Sequence, residues 1–307
     1  MVIINGREKL VEQLSAEGIV FSSSTKMSIG EYQPADADWN YRDIPHLNFV
    51  HSQVEGALAL ASDDLLSSIL VQKVGPFKIV LTVVLISEVN KGQFYYTSFG
   101  PVVLLIDTSW VSLDETTTKV STRYSVGTPR FLKLLQPLVH KILARNYEIL
   151  MSEDTPMRLQ RGKLRKRGYS FRQDKEGHSY SDSIQVSKNN LKSPELSESQ
   201  IKVNLVNVNE MPNEYWDESG TRSVVVHRLA GELFIGPAIC PHEGASLDGA
   251  NCRNNSLECP WHGRLIKPWA SVNLKNGDSL IGDESEVSFV AVEKNHLLIH
   301  LPTKSST

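Results

Sequence analysis

The chain has 307 residues, 40% hydrophobic and 22% charged, with a formal net charge of −3. That apolar fraction is enough for packed cores, and the length suggests two domains. The near-neutral charge gives no case for nucleic-acid binding. The 3 cysteines are too few for a disulfide scaffold, and no apolar run reaches the roughly 18–20 residues of a membrane helix. The opening segment, with Glu8 and Glu12 and no apolar core, does not read as a signal or transit peptide. The expectation is a two-domain protein of a reducing, cytoplasmic compartment.

In chain order, a short charged segment comes first, then a candidate helix over 45–59. Strands are expected over 78–89, 92–98, 101–113 and 117–126, with turns at Asn90-Lys91-Gly92 and Asp114-Glu115. From Phe131 the period changes. Leu132, Leu134, Leu135, Leu138, Val139, Ile142 and Leu143 recur at helical spacing and predict an amphipathic helix over 129–151, with Pro156 a local helix breaker just beyond it. One antiparallel sheet and one long helix make an α+β plan for residues 1–168. The basic run Arg158, Arg161, Lys163, Arg165, Lys166 and Arg167 reads as a solvated helix end, or as a docking surface for an acidic protein. Residues 169–202 are polar and read as a linker. Residues 203–303 alternate short apolar runs with turns and read as all-β.

Two motifs carry chemistry. In the second domain, Cys240-Pro241-His242 is followed after sixteen residues by Cys259-Pro260-Trp261-His262. Two thiolates and two imidazoles suit either a four-coordinate structural zinc or a 2Fe–2S centre in which histidines replace cysteines on one iron. In the first domain, Asp43-x2-His46-x4-His51 places a carboxylate ahead of two histidines. Taken alone this is a weak pattern, since a straight helix aligns i and i+4 rather than i and i+5, and Asp43 could simply cap a helix.

The flanking residues sharpen both readings. The runs Cys240-Pro-His-Glu-Gly-Ala-Ser-Leu and Cys259-Pro-Trp-His-Gly-Arg resemble the two cluster-binding loops of Rieske proteins. The resemblance implies that Cys240 and Cys259 bind one iron and His242 and His262 the other. Ala245 and Trp261 stand where respiratory Rieske proteins carry an extra disulfide, and Arg264 and Ile266 where they carry hydroxyl donors. Fewer donors to the sulfurs favour a lower potential. The Cys-Pro-His-x-Gly-Ala form looks like the oxygenase type of the motif. Asp-x2-His-x4-His is in turn similar to the mononuclear-iron motif of Rieske non-haem iron oxygenases, whose catalytic domains have a START-like helix-grip fold. That resemblance implies His46, His51 and a late-helix carboxylate, Asp154 of the Glu153-Asp154 pair, as ligands of one Fe(II). Asp43 is then the bridge by which an electron passes from a cluster histidine to His46. The domain order here, START-like first and Rieske last, is the reverse of the family habit.

The resemblance implies an oxygenase that activates O2 to hydroxylate, dihydroxylate, demethylate or desaturate an apolar substrate. The chain has no Gly-x-Gly-x-x-Gly after a strand, so its electrons should come from a separate NAD(P)H-linked reductase or ferredoxin. A homotrimer is the implied assembly. A non-catalytic electron carrier or redox sensor with an apolar-ligand-binding START-like domain is the other reading. Trp39, Trp110, Trp261 and Trp269 are expected in packing, with Trp261 shielding the cluster. His140 is expected as a packed or surface residue, and Cys252 as a small buried or turn residue.

Overall fold

The computed structural model describes residues 3–88, 92–175, 185–283 and 285–304. The chain divides into two compact units between Gly162 and Lys163.

In the first unit, α1 (Ile3–Ala16) leads into a seven-stranded antiparallel sheet. Its strands are β1 (Ile19–Gly30), β2 (Val54–Ala61), β3 (Leu65–Val74), β4 (Phe77–Glu88), β5 (Gly92–Phe99), β6 (Val102–Ser112) and β7 (Thr118–Pro129). Strands β2 to β7 form a meander, and β1 closes it by pairing with β7. Between β1 and β2 lie α2 (Pro34–Arg42), a 3-10 turn (Ile44–His46) and the one-turn α3 (Leu47–Val50). The long α4 (Gln136–Lys166) follows β7. The sheet holds it at its start, where the Gln136 amide donates to the carbonyls of Val20 at 2.7 Å and Val126 at 3.2 Å. It is held again further along, where Tyr147 meets Tyr124 edge to face at 6.2 Å. This is the START-like helix-grip plan.

The expected strands β4 to β7 are present within a residue or two at most ends. The helix expected over 45–59 is not: only the turn and α3 are helical, and Val54 onward pairs with β3. Cross-strand partners outweigh local propensity here. The long helix starts later than expected and continues to Lys166. Pro156 removes one backbone donor without ending it, because its flanks are pinned: Asp154, Met157 and Arg158 are all buried. Asp154 therefore sits about three turns from the helix end rather than at it. The basic run is corrected too. Arg158 and Arg161 are 0% exposed, so they belong neither to a solvated helix end nor to a docking surface.

Apart from the end of α4 and short turns, the described residues of the second unit are all-β. Its strands are β8 (Ser170–Phe171), β9 (Leu191–Lys192), β10 (Ser199–Asn204), β11 (Asn213–Trp216), β12 (Ser223–Leu229), β13 (Glu232–Pro237), β14 (Asn251–Arg253), β15 (Ser256–Glu258), β16 (Leu265–Ile266), β17 (Ala270–Asn273), β18 (Ser279–Ile281), β19 (Phe289–Glu293) and β20 (His296–Leu301). Sheet β11-β12-β13-β17-β18 faces sheet β10-β20-β19 across one core. That core takes every second residue, as in Ile201 and Val203, Val224 and Val226, Leu233 and Ile235, and Leu297, Ile299 and Leu301. The period-2 pattern puts these side chains on one face. A small sheet, β14-β15-β16, carries the second cysteine loop.

The stretch 169–202 is more than a linker. β8 pairs with β9, β10 is an outer strand of the core, and Phe171 is 1% exposed. Part of the expected linker, residues 176–184, lies outside the described residues. Cys252 is exposed on β14 rather than buried.

Candidate metal centres

The two cysteine loops of the second unit have the same backbone design. Cys240 N–H donates to the Ala245 carbonyl at 2.8 Å, and the Cys240 carbonyl accepts from Gly244 at 3.0 Å. Likewise Cys259 N–H donates to Arg264 at 2.8 Å, and its carbonyl accepts from Gly263 at 2.8 Å. Each loop turns back on itself through a left-handed glycine, Gly244 at φ 86° and Gly263 at φ 64°. A Cβ on Gly244 would lie 2.6 Å from Leu164 Cδ1, so both conformation and space require glycine there.

These turns aim four donors at one place. Cys240, His242, Cys259 and His262 are all buried. The Nδ1 atoms of His242 and His262 face each other at 3.2 Å. The thiols share a hydrogen bond, which together with burial pushes Cys240 well above the ordinary thiol range. The same bond, working against burial and helped by His262, pulls Cys259 down to about 5. A sulfur pair beside a nitrogen pair fits a 2Fe–2S centre with sulfur on one iron and nitrogen on the other. Trp261, in the second loop, is 7% exposed, a packed residue as expected.

The first loop is braced by the segment expected to be a linker. Glu243 is 1% exposed. Its Oε1 accepts from Gln173 Nε2 and Asn190 Nδ2, each at 2.6 Å. The Asn190 N–H donates to the His242 carbonyl at 2.9 Å. Arg264 of the second loop donates to Asn189 Oδ1 at 2.9 Å. No local pattern marked these residues.

In the first unit, the turn after α2 supplies His46, the end of α3 supplies His51, and the middle of α4 supplies Asp154. His46 Nε2 and His51 Nε2 are 3.0 Å apart, and Asp154 Oδ1 is 3.3 Å from the first and 3.2 Å from the second. All three residues are buried, and the ligand atoms lie within 4.8 Å of one another. Three donors on one face of a coordination polyhedron, with bonds of about 2.0–2.2 Å, stand roughly 3–3.5 Å apart. The set therefore fits a single divalent ion. The i, i+5 spacing that looked awkward on a helix works because His51 is extended, at φ −92° and ψ 133°, just beyond α3.

The surrounding groups orient these three side chains. His51 Nδ1 meets Glu153 Oε2 at 2.8 Å, leaving Nε2 toward Asp154. The other Glu153 oxygen accepts from the Ser52 backbone N–H and hydroxyl. So Asp154, not its neighbour Glu153, reaches both histidines. Asp43 Oδ2 lies 3.8 Å from His46 Nδ1. Burial alone would raise the Asp154 carboxyl. The histidine hydrogen bonds and the Arg158 charge outweigh it and hold the carboxyl far below the usual range. Burial lowers the His51 imidazole, but the Asp154 and Glu153 contacts outweigh that and raise it.

Behind Asp154 lies a buried polar layer between α2 and α4. Asn40 Nδ2 donates to Asp154 Oδ1 at 3.2 Å, and Asn40 Oδ1 accepts from Arg158 Nε at 2.7 Å. Arg158 also pairs with Asp154 at 3.7 Å and lies 4.5 Å above the Tyr41 ring. Arg161 pairs with Asp36 at 2.9 Å and lies 4.2 Å above Trp39. In front, the triad opens on a cavity of about 270 Å³ between sheet and helix. Leu66, Val83, Leu85, Ile106, Leu143 and Leu150 make up much of its wall. Among the described residues no Lys or Arg lines it. His140 sits apart from this site on the surface, bonded to Ser22 and Ser24 at 2.9 Å.

Residues 201–277 match the Rieske [2Fe-2S] domain family, and the second unit carries a Rieske domain. A search of the curated proteins finds no match. Among solved structures, a START superfamily protein from Mycobacterium smegmatis is 12% identical, over 45% of this chain and 97% of that one, with a TM-score of 0.38. A protein from Thermus thermophilus is 16% identical, over 44% of this chain and 95% of that one, with a TM-score of 0.39. Dicamba monooxygenase bound to 3,6 dichlorosalicylic acid is 10% identical, over 48% of this chain and 51% of that one, with a TM-score of 0.38. Among the described residues no helix is long and apolar enough to cross a membrane.

Proposed function

We propose that the chain is a Rieske-type oxygenase that oxidises a neutral, apolar organic molecule. The observation that carries this reading is the buried His46, His51 and Asp154 set on the wall of an apolar cavity. Cys240, Cys259, His242 and His262 would hold the 2Fe–2S cluster, and His46, His51 and Asp154 the mononuclear iron. When bound, the cluster supplies single electrons and the mononuclear iron supplies oxygen activation.

The chain's own residues do the rest. Glu153 fixes the His51 ring so that Nε2 faces Asp154. Arg158 and Asn40 hold the Asp154 carboxylate from behind. Asp43, beside His46 Nδ1, is the proposed bridge for the electron. The leucine-rich wall binds the substrate and excludes water. A wall without lysine or arginine favours an uncharged ligand over a carboxylate, which would bury its charge without a fixed cation. A ferredoxin or NAD(P)H-linked reductase is the proposed electron source, and a homotrimer the proposed assembly.

Iron content tests the reading. Protein purified without oxygen should hold three irons per chain, two in the cluster and one more, and Asp154→Ala should lose the extra iron while keeping the cluster's optical and spin-resonance signals. A ratio of two that added Fe(II) does not raise would refute it, and would leave an electron carrier with an apolar-ligand site.

A further inference from the structure

The segment joining β7 to the body of α4 has an unusual surface. Phe131 is 81% exposed, Leu134 91% and Leu138 58%, and Leu135 adds a further partly bare side chain at 46%. Scattered single apolar residues on a surface need no explanation, but four within eight positions form a patch of the kind that marks an interaction site. The charges within the segment itself have one sign. Arg130, Lys133, Lys141 and Arg145 are all exposed, and residues 130–147 contain no Asp or Glu. The first carboxylate along the helix is Glu148, already paired with Lys26 at 3.0 Å. Leu138, Lys141 and Arg145 stand at i, i+3 and i+7, so apolar tip and cations share a face.

We propose that this face docks on an anionic lipid bilayer. Phe131, Leu134 and Leu138 would enter the boundary between headgroups and acyl chains, and the four cations would meet the lipid phosphates and carboxylates. A segment that mixes bare apolar side chains with cations and holds no carboxylate of its own has the pattern of interfacial membrane segments. A second copy of the same face is a poorer occupant, because it would set these cations against their own kind. The same helix lines the cavity with Leu143, Tyr147 and Leu150. The bilayer then becomes a source of apolar ligand, a corollary that rests on the function proposed above. The docking itself does not rest on it.

The test is sedimentation of the full chain with vesicles of phosphatidylcholine alone or mixed with phosphatidylserine. The chain should sediment with the mixed vesicles and far less with the neutral ones. Phe131→Ser combined with Leu134→Ser should cut binding at least about tenfold. Lys133→Gln combined with Lys141→Gln should cut binding to mixed vesicles about fivefold per cation removed. Both variants should keep the thermal transition and the cluster absorbance, since the altered side chains are exposed. Failure of the unmodified chain to sediment, or equal sedimentation of the serine variant, overturns the proposal. So does a dimer in solution that the serine substitutions dissociate without any vesicle binding.

Discussion

Arg158 is the residue through which the buried layer and the proposed iron site can be separated by experiment. Arg158→Met keeps much of the volume and removes the charge and the donors. In protein stripped of the mononuclear ion, Asp154 loses its ion pair at 3.7 Å, and the Arg158 hydrogen bond to Asn40 at 2.7 Å goes with it. Breaking a buried pair from one side costs about 3–5 kcal/mol. For a unit of this size that lowers the melting temperature by roughly 10 °C or more. With a divalent ion held by His46, His51 and Asp154, the carboxylate keeps a counter-charge. The cost then falls to the lost Asn40 bond and packing, about 1–2 kcal/mol. The variant should therefore be rescued by added Fe(II) or Co(II) more than the unmodified protein is, by about 2 kcal/mol. Thermal melts of both proteins, with and without the ion and with the cluster intact, read this difference. Equal losses in the two states would show that Arg158 does not act on the Asp154 site, and the positioning role would fall.

Three other outcomes are expected. If Asp43 is the proposed bridge, Asp43→Asn should leave the cluster and the proposed iron bound and slow electron delivery in a single turnover, and unchanged reduction kinetics would remove the bridge. Gly244→Ala forces a side chain into a left-handed backbone at φ 86° and against Leu164, at a cost of about 1–3 kcal/mol and with loss of cluster; Gly231→Ala, at φ 88° with open space around it, should keep the cluster. His227 is 3% exposed, stacks on Phe234 at 5.3 Å and is held below its ordinary value of 6.5 by burial. The unfolded chain takes up its proton first as the pH falls, so this stabilisation is full above about pH 6.5 and is lost below it; His227→Phe should flatten that part of the melting-temperature profile, and an unchanged slope would place the titration elsewhere.

What the sequence shows and what it conceals divide along a physical line. Metal donors are limited to a few residue types at a few spacings, so Cys240, His242, Cys259 and His262 stand out in the chain, and His46 and His51 stand out beside them. Strands β4 to β7 are legible because apolar runs and turns alternate locally. Strands β1, β2 and β3 are not, since they are strands chiefly by virtue of their partners: β2 follows directly on a helical turn and takes its form from pairing with β3.

The residues that support the proposed ligands are the least visible, and the reason is their distance in sequence. Arg158 and Arg161, read along the chain, continue a basic run. What buries them is Asn40 and Asp36, 118 and 125 residues away. Likewise Glu243 takes its donors from Gln173 and Asn190, 70 and 53 residues earlier, in a stretch whose polarity reads as solvation. A ligand must present one kind of atom at one spacing, whereas a supporting group need only supply a charge or a donor from whichever element passes close by. Polar composition therefore identifies neither a linker nor a surface when a buried carboxylate lies within reach. In each unit, the carboxylate that needs a partner, Asp154 or Glu243, lies directly beside a metal-type motif residue or across from it.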